Sequence, residues 1–488
     1  MSTLQFVETS LRDGNQSLWG ALGLDTAKTL TIAPVMERAG FRAIDFTTST
    51  HMGVAVRYKK EDPWERIRLM AEICKTTPLQ FMGTGFRFIS WESAHPDFMA
   101  LAFKTLARNG IRRFCMADPM TDADAMIECA RMAKAGGAEI VVCALVYSIS
   151  PIHDDAFYAE RAAKLAACPD VDIVYVKDPG GLLTPKRARA LVETAQRELK
   201  GKPLEMHCHC TIGLGDLAYA EAAELGVAAL QCASGAAADG TSNPPAERVL
   251  ANLCALGHDV DVDAEAVREI GGYFTALARA EGLPEGKPAG FDAAYMRHQL
   301  PGGMVSTMRR HLAESRLDGI EQAVIEELGR VREELGWPIV MTPFSQILLG
   351  QAVINVTGHE RYATVPDELI RYALGRFGRP NIPIDGNIMD RIRALPRAKE
   401  IEAEAGPLPP EELRKRFKKG ISDEEFLLRA TMPEGQVDAM LAAGPAPRRY
   451  EPASRAAIEA LRQATQSDAA HIDIERPNFK LSLRRSAA

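Results

Sequence analysis

The chain lacks any apolar run approaching the roughly 20 residues that a membrane-spanning helix needs, which excludes an ordinary helical membrane protein. Its start, MSTLQFVETSLRDG, lacks the charged-then-apolar pattern of a secretory leader. Acidic and basic residues are interspersed and sum to a net charge of -7, so no basic stripe offers itself to nucleic acid. Cysteine is missing after Cys254. The 9 earlier cysteines are odd in number and lie mostly in apolar, strand-like runs, which suits reduced core thiols better than a disulfide framework. No GxGxxG follows the first strand-like segment, which weakens a dinucleotide-binding fold. What remains, at 46% hydrophobic and 25% charged over 488 residues, is a soluble globular balance with a cytoplasmic location expected. The length suits two or three domains, or one large barrel with an extension.

From the start to about residue 260, strand-like and helix-like segments alternate. The strand candidates are 6–11, 41–46, 79–85, 112–117, 139–146, 172–178, 203–209 and 228–234, each short, apolar and rich in β-formers. Several rises into them read alike: ERAGFRAIDF, ARNGIRRFCM, AKAGGAEIVV and AELGVAALQC. A glycine at a helix end followed by a buried strand is the αβ turn of a parallel sheet. Eight such units predict a (β/α)8 TIM barrel over 1–265, with a doubly wound open sheet as the rival. Residues 266–450 read as a mainly helical extension with charged amphipathic runs and Pro/Gly joints. Residues 451–488 form a tail whose basic end, KLSLRRS, is expected to be mobile.

Catalytic groups of such barrels sit where strands end. Strand 1 ends in Leu11-Arg12-Asp13-Gly14-Asn15-Gln16, strand 6 in Lys177-Asp178, and strand 7 in His207-Cys208-His209-Cys210. Residues two apart on a strand face the same way, so both imidazoles face the barrel mouth. Imidazoles converge like this mainly to share a metal ion, and Asp13 offers an anionic third ligand. The alternative is that one histidine packs and the other only hydrogen-bonds. Cys208 and Cys210 should point into the barrel–helix layer, although Cys210 lies near the strand end, where alternation weakens. Lys177 ends an apolar strand, so it is snorkelling, paired with Asp178, or functional. A desolvated lysine has a lowered pKa, and its neutral amine can capture carbon dioxide as a carbamate, an anionic metal ligand.

These segments resemble a known family. LRDGNQSL, VKDPGGLLTP, HCHCTIGLG and GTSNPP stand in the order seen in the carboxyltransferase components of biotin-dependent enzymes: pyruvate carboxylase, the oxaloacetate decarboxylase alpha subunit and transcarboxylase. YMRHQLPGGM (295–304), PIVMTPFSQILLGQAVINV (338–356) and YALGRFGRP (372–380) resemble the same family's conserved carboxylase domain, so the likeness spans about residues 4–450. It implies carboxyl transfer between carboxybiotin and a pyruvate- or oxaloacetate-like carbonyl compound through a metal-stabilised enolate. It implies a divalent metal (Zn, Mn or Co) held by Asp13, carbamylated Lys177, His207 and His209. Arg12 and Gln16 would hold the carbonyl substrate, and Thr241 matches the threonine that shuttles a proton between biotin and the substrate carbon. By the residues alone, Thr241 reads as a helix N-cap before PPAERVL, with Asn243 a better cap still.

Two departures stand out. The family shows HTHD where this chain has HCHC, so Cys210 replaces an acid. Pyruvate enzymes carry an arginine after strand 3 to pair with the substrate carboxylate, and Thr84 stands in its place here, with Arg87 three residues on. A missing clamp weakens carboxylate recognition and leaves the acceptor open. The sequence has no MKM biotinylation motif and no ATP-grasp-like segment. Biotin carrier and biotin carboxylase subunits are therefore expected as partners, arranged around a homo-oligomeric core. The competing readings are a biotin-independent, metal-dependent C–C lyase or aldolase related to HMG-CoA lyase, and a scaffold subunit with a decayed site.

Overall fold

A computed structural model describes residues 3–90, 92–300, 319–341, 343–450, 471–476 and 479–484. Eight parallel strands close into a barrel in sequence order: β1 (Gln5–Glu8), β2 (Ala43–Thr48), β3 (Leu79–Gly83), β4 (Arg113–Met116), β5 (Ile140–Val146), β6 (Ile173–Asp178), β7 (Leu204–Cys208) and β8 (Ala229–Cys232), which pairs with β1. Each expected strand segment overlaps one of them, with β1 starting one residue earlier and β2 ending two residues later than expected. The helices between them begin where the sequence supplies an acceptor: the Asp25, Asp62, Asp122, Asp154 and Thr184 side chains cap backbone N–H groups that have no partner within the helix. They end before Gly40, Gly110, Gly137 and Gly226, all at positive φ, as the repeated rises anticipate.

Strand β1 stops at Glu8 rather than running to Leu11. The Thr9 carbonyl accepts from the amides of Arg12, Asp13 and Gly14, so Ser10–Gly14 winds into one wide helical turn around it. The turn packs closely: a Cβ on Gly14 would meet the Ala237 carbonyl oxygen at 2.5 Å. This turn, rather than a strand end, presents Arg12 and Asp13.

The C-terminal region packs in two ways. Helices Glu321–Glu334, Phe344–Thr357, Asp367–Ala373 and Gly386–Ala394 build their own core from Leu328, Val331, Phe344, Leu369 and Ile392. The chain then returns to the barrel wall, where Phe426 of Asp423–Thr431 packs edge-on against Phe98 at 6.0 Å and Trp64 Nε1 donates to the Glu424 carbonyl at 3.1 Å. Ile339 and Met341, between the first two of these helices, enter the barrel mouth beside Met82, Ala117, Val146 and Tyr175. Part of the tail expected to be mobile is paired: β9 (His471–Arg476) and β10 (Phe479–Arg484) form an antiparallel hairpin that includes the KLSLR segment. The rest of the tail, and positions 301–304 and 342 of the resembling segments, lie outside the described residues. Among the described residues no helix is long and apolar enough to cross a membrane. All nine cysteines are free, and only Cys254 is exposed.

Candidate active site

Lys177 on β6 and His207 on β7 are register partners, so both side chains enter the barrel at one height while Asp178 and Cys208 face the helix layer. His209 follows the strand, its amide donating to the Asp178 carbonyl at 3.0 Å. The wide turn after β1 brings Asp13 across to meet them. Asp13 Oδ2 lies 2.7 Å from His209 Nε2 and 3.1 Å from His207 Nε2, and Lys177 Nζ lies 3.4 Å from the same His207 nitrogen. All four side chains are buried; His209, the most open, is 7% exposed.

The electrostatics of this cluster favour a cation. Burial pushes the Asp13 carboxyl up, but its surroundings, the adjacent Arg12 guanidinium first among them, outweigh it and hold Asp13 well below its ordinary value. Burial, aided by Lys177, holds His207 neutral, down at about 3. His207 Nδ1 sits 2.9 Å from Gln231 Oε1, an acceptor, so that nitrogen carries the ring proton and Nε2 keeps its lone pair. That lone pair faces an anionic oxygen at 3.1 Å, an unfavourable contact that an ion between them would make attractive. The donor set of two imidazoles and a carboxylate therefore fits a divalent metal. Lys177 has no carboxylate within 4 Å among the described residues, and burial and then Arg12 lower its pKa. The pairing with Asp178 raised from the sequence is absent. Asp178 instead accepts from the Leu183 amide at 2.8 Å.

The other predicted residues divide into two groups. Arg12 points its Nη1 at Asp13 Oδ1 (2.5 Å) and its Nε at Asp45 Oδ2 (2.6 Å). The Thr241 hydroxyl donates to the Ser17 carbonyl at 3.1 Å, next to Gln16, whose Oε1 is buried with no partner among the described residues. Neither Thr241 nor Asn243 caps a helix. Helix Ala246–Ala255 starts after Pro245 with no side-chain cap, and Asn243 is drawn inward to the Cys208 carbonyl (3.0 Å) and the Thr9 hydroxyl (2.8 Å). Arg87 is directed elsewhere, donating to the Thr84 and Phe377 carbonyls beside Asp118, where barrel and extension meet. Cys210 stays out of the ligand cluster and lies with Asp216 and Asp239, whose carboxylates already clasp the Arg248 guanidinium at 2.7 and 2.6 Å.

Sequence reasoning missed the polar layer beneath the cluster: Asp45, Gln80, Arg113, Glu205 and Gln231, all buried. Its only signal is a polar residue early in each of the apolar strands AIDF, LQFMG, RFCM, LEMHC and ALQC, with Glu205 two positions before His207.

Residues 296–478 match the conserved carboxylase domain, and residues 98–273 match the HMGL-like family. A pyruvate carboxylase subunit of Methanocaldococcus jannaschii is 34% identical over 439 residues, covering 88% of this chain and 76% of that protein. The chain belongs to this family of pyruvate carboxylase subunits. The 2-oxoglutarate carboxylase large subunit of Hydrogenobacter thermophilus is also related, 29% identical over 432 residues, 86% of this chain and 66% of that protein. The carboxyl transferase domain of Rhizobium etli pyruvate carboxylase shares the fold, with a TM-score of 0.80 at 22% identity over 91% of this chain and 78% of that one. Membership makes the chain a carboxyltransferase of the biotin-dependent carboxylases.

Proposed function

We propose that Asp13, His207, His209 and Lys177, the last as its carbamate, hold one divalent cation (Zn, Mn or Co), and that this site moves a carboxyl group between carboxybiotin and a small 2-oxo acid. The observation that carries the reading is the Asp13 oxygen lying within hydrogen-bond distance of both imidazole Nε2 atoms, with Lys177 Nζ 3.4 Å from one of them. Lys177 first loses one proton to give the neutral amine, and addition of carbon dioxide to that nitrogen releases a second, so that a buried cation becomes an anion. The carbamate and Asp13 then balance a divalent charge flanked by two neutral rings. A bound ion supplies Lewis acidity that polarises the acceptor carbonyl and stabilises its enolate, and carboxybiotin supplies the carboxyl group.

The chain's own residues do the rest. The remaining N–H groups of Arg12 and the Gln16 amide hold the carbonyl compound, and the Thr241 hydroxyl carries the proton between the acceptor carbon and the biotin nitrogen. Ile339 and Met341 narrow the mouth and keep water from the enolate. Thr84 and the Arg87 that braces its carbonyl form the wall where the acceptor's carboxylate lies. Residues 1–265 serve as the catalytic barrel, 266–450 as the helical conserved carboxylase domain and 451–488 as a tail. Biotin arrives from a carrier subunit charged by a biotin carboxylase subunit, in the cytoplasm, around a homo-oligomeric core.

The test is to mix the protein with carboxybiotin labelled in its carboxyl carbon and offer pyruvate or 2-oxoglutarate separately. One acceptor takes up label in a metal-dependent manner. Carbon–carbon cleavage without biotin, and no label transfer, would instead establish the lyase reading.

A further inference from the structure

A hydrogen-bond chain runs through the barrel interior from one end of the ligand cluster to the other. His207 Nδ1 donates to Gln231 Oε1 (2.9 Å), and Gln231 Nε2 donates to Glu205 Oε2 (3.4 Å). Arg113 bridges the barrel, giving Nη2 to Glu205 (2.5 Å) and Nε to Gln80 Oε1 (2.7 Å). Gln80 Nε2 donates to Asp45 Oδ1 (2.9 Å), and Asp45 Oδ2 receives Arg12 Nε (2.6 Å), whose Nη1 reaches Asp13 Oδ1. None of the connecting residues is more than 2% exposed.

The chemistry of the links fixes their direction. An arginine only donates and a carboxylate only accepts, so Gln80 must turn its oxygen to Arg113 and its nitrogen to Asp45. Gln231 must likewise turn its nitrogen to Glu205, which leaves its oxygen for His207 and places the ring proton on Nδ1. At the other end, Asp45 aims Arg12 so that it occupies Asp13 Oδ1 and leaves Oδ2 for the site. The tautomer of one ligand is thus set by Gln231 and Glu205, which touch neither reacting atoms nor substrate, and the rotation of the other by Arg12, which Asp45 and Gln80 hold from behind.

We infer that Gln80 and Gln231 are positioning residues: they are the two neutral connectors of a circuit that presets His207 and Asp13 to receive the metal. This rests on the metal reading above and goes further, because Gln80 contacts no ligand and would be silent if each ligand were held only by its immediate neighbour. Outer partners of metal-binding histidines typically contribute 10–100-fold in affinity.

The experiment titrates Co2+ into the full chain freed of metal, reading the dissociation constant by chelator competition and the coordination geometry by visible absorption. Gln231→Met and Gln80→Met should each weaken Co2+ about 10-fold and alter the absorption bands. Cys143→Ala, a cavity elsewhere in the barrel wall, should lower the melting temperature without moving the dissociation constant. Should Gln80→Met fail to fold, Asp45→Asn removes the acceptor for Gln80 and is expected to weaken Co2+ as much. A Gln80 or Asp45 variant within twofold of wild type with an unchanged spectrum overturns the circuit, as does an equal loss in Cys143→Ala. A wild-type chain that does not bind Co2+ refutes the metal reading itself.

Discussion

Glu205 and Arg113 offer a quantitative perturbation of this interior. Both side chains are fully buried, with Arg113 Nη2 2.5 Å from Glu205 Oε2. Glu205→Met leaves Arg113 a buried cation whose remaining side-chain acceptor is the neutral Gln80, while its Nη1 already has no partner among the described residues. Breaking a buried pair from one side costs about 3–5 kcal/mol, because the stranded charge keeps its desolvation penalty. Arg113→Met strands less, since Glu205 keeps Arg42 at 2.9 Å, so a loss nearer the lower end of that range is expected. The double variant removes both charges together and should lose markedly less than the sum of the two singles. Urea denaturation followed by tryptophan fluorescence and circular dichroism measures this, provided both probes move together. Single variants within about 1 kcal/mol of wild type, or a double variant matching the sum, would refute the view that desolvation governs this layer.

Burial, with Asp45 adding to it, raises Glu8 to about 8 from 4.5. The folded state therefore holds a proton that the unfolded chain has lost, and stability falls as pH rises from about 4.5 to 8. At about 1.4 kcal/mol per pH unit the upper bound is about 5 kcal/mol, and Glu8→Gln should flatten that slope in pH-dependent denaturation. Thr241→Ala should slow label transfer from carboxybiotin by at least about 100-fold while metal content stays at the wild-type level, and equal transfer rates would remove Thr241 from the chemistry. Thr84→Arg should raise kcat/KM for pyruvate by about 10-fold through a charge-assisted hydrogen bond, measured by the same label uptake; an unchanged ratio would place the carboxylate elsewhere.

The eight strands were legible because each is a short apolar run, several of them following a glycine that ends the preceding helix, and the ligand pair because a period of two puts His207 and His209 on one side. The turn at Ser10–Gly14 was not, since its shape comes from three amides gathering on the Thr9 carbonyl, which no local pattern announces. The cap reading of Asn243 failed for a related reason: a tertiary partner, the Cys208 carbonyl, outcompeted the local helix end. Amphipathic periodicity identified helices in the extension but could not say that Phe426 packs on the barrel while Phe344 packs within the extension itself. The interior circuit joins residues as far apart in sequence as Arg113 and Glu205, so its members read singly as oddities in apolar strands.

The most direct measurement is elemental analysis of the purified full chain and of Lys177→Met, each saturated with divalent metal and bicarbonate and then desalted. The wild type should retain one ion per chain, and Lys177→Met should retain almost none while staying folded. Equal retention by both, or an empty wild type, would contradict a cation gathered by Asp13, Lys177, His207 and His209.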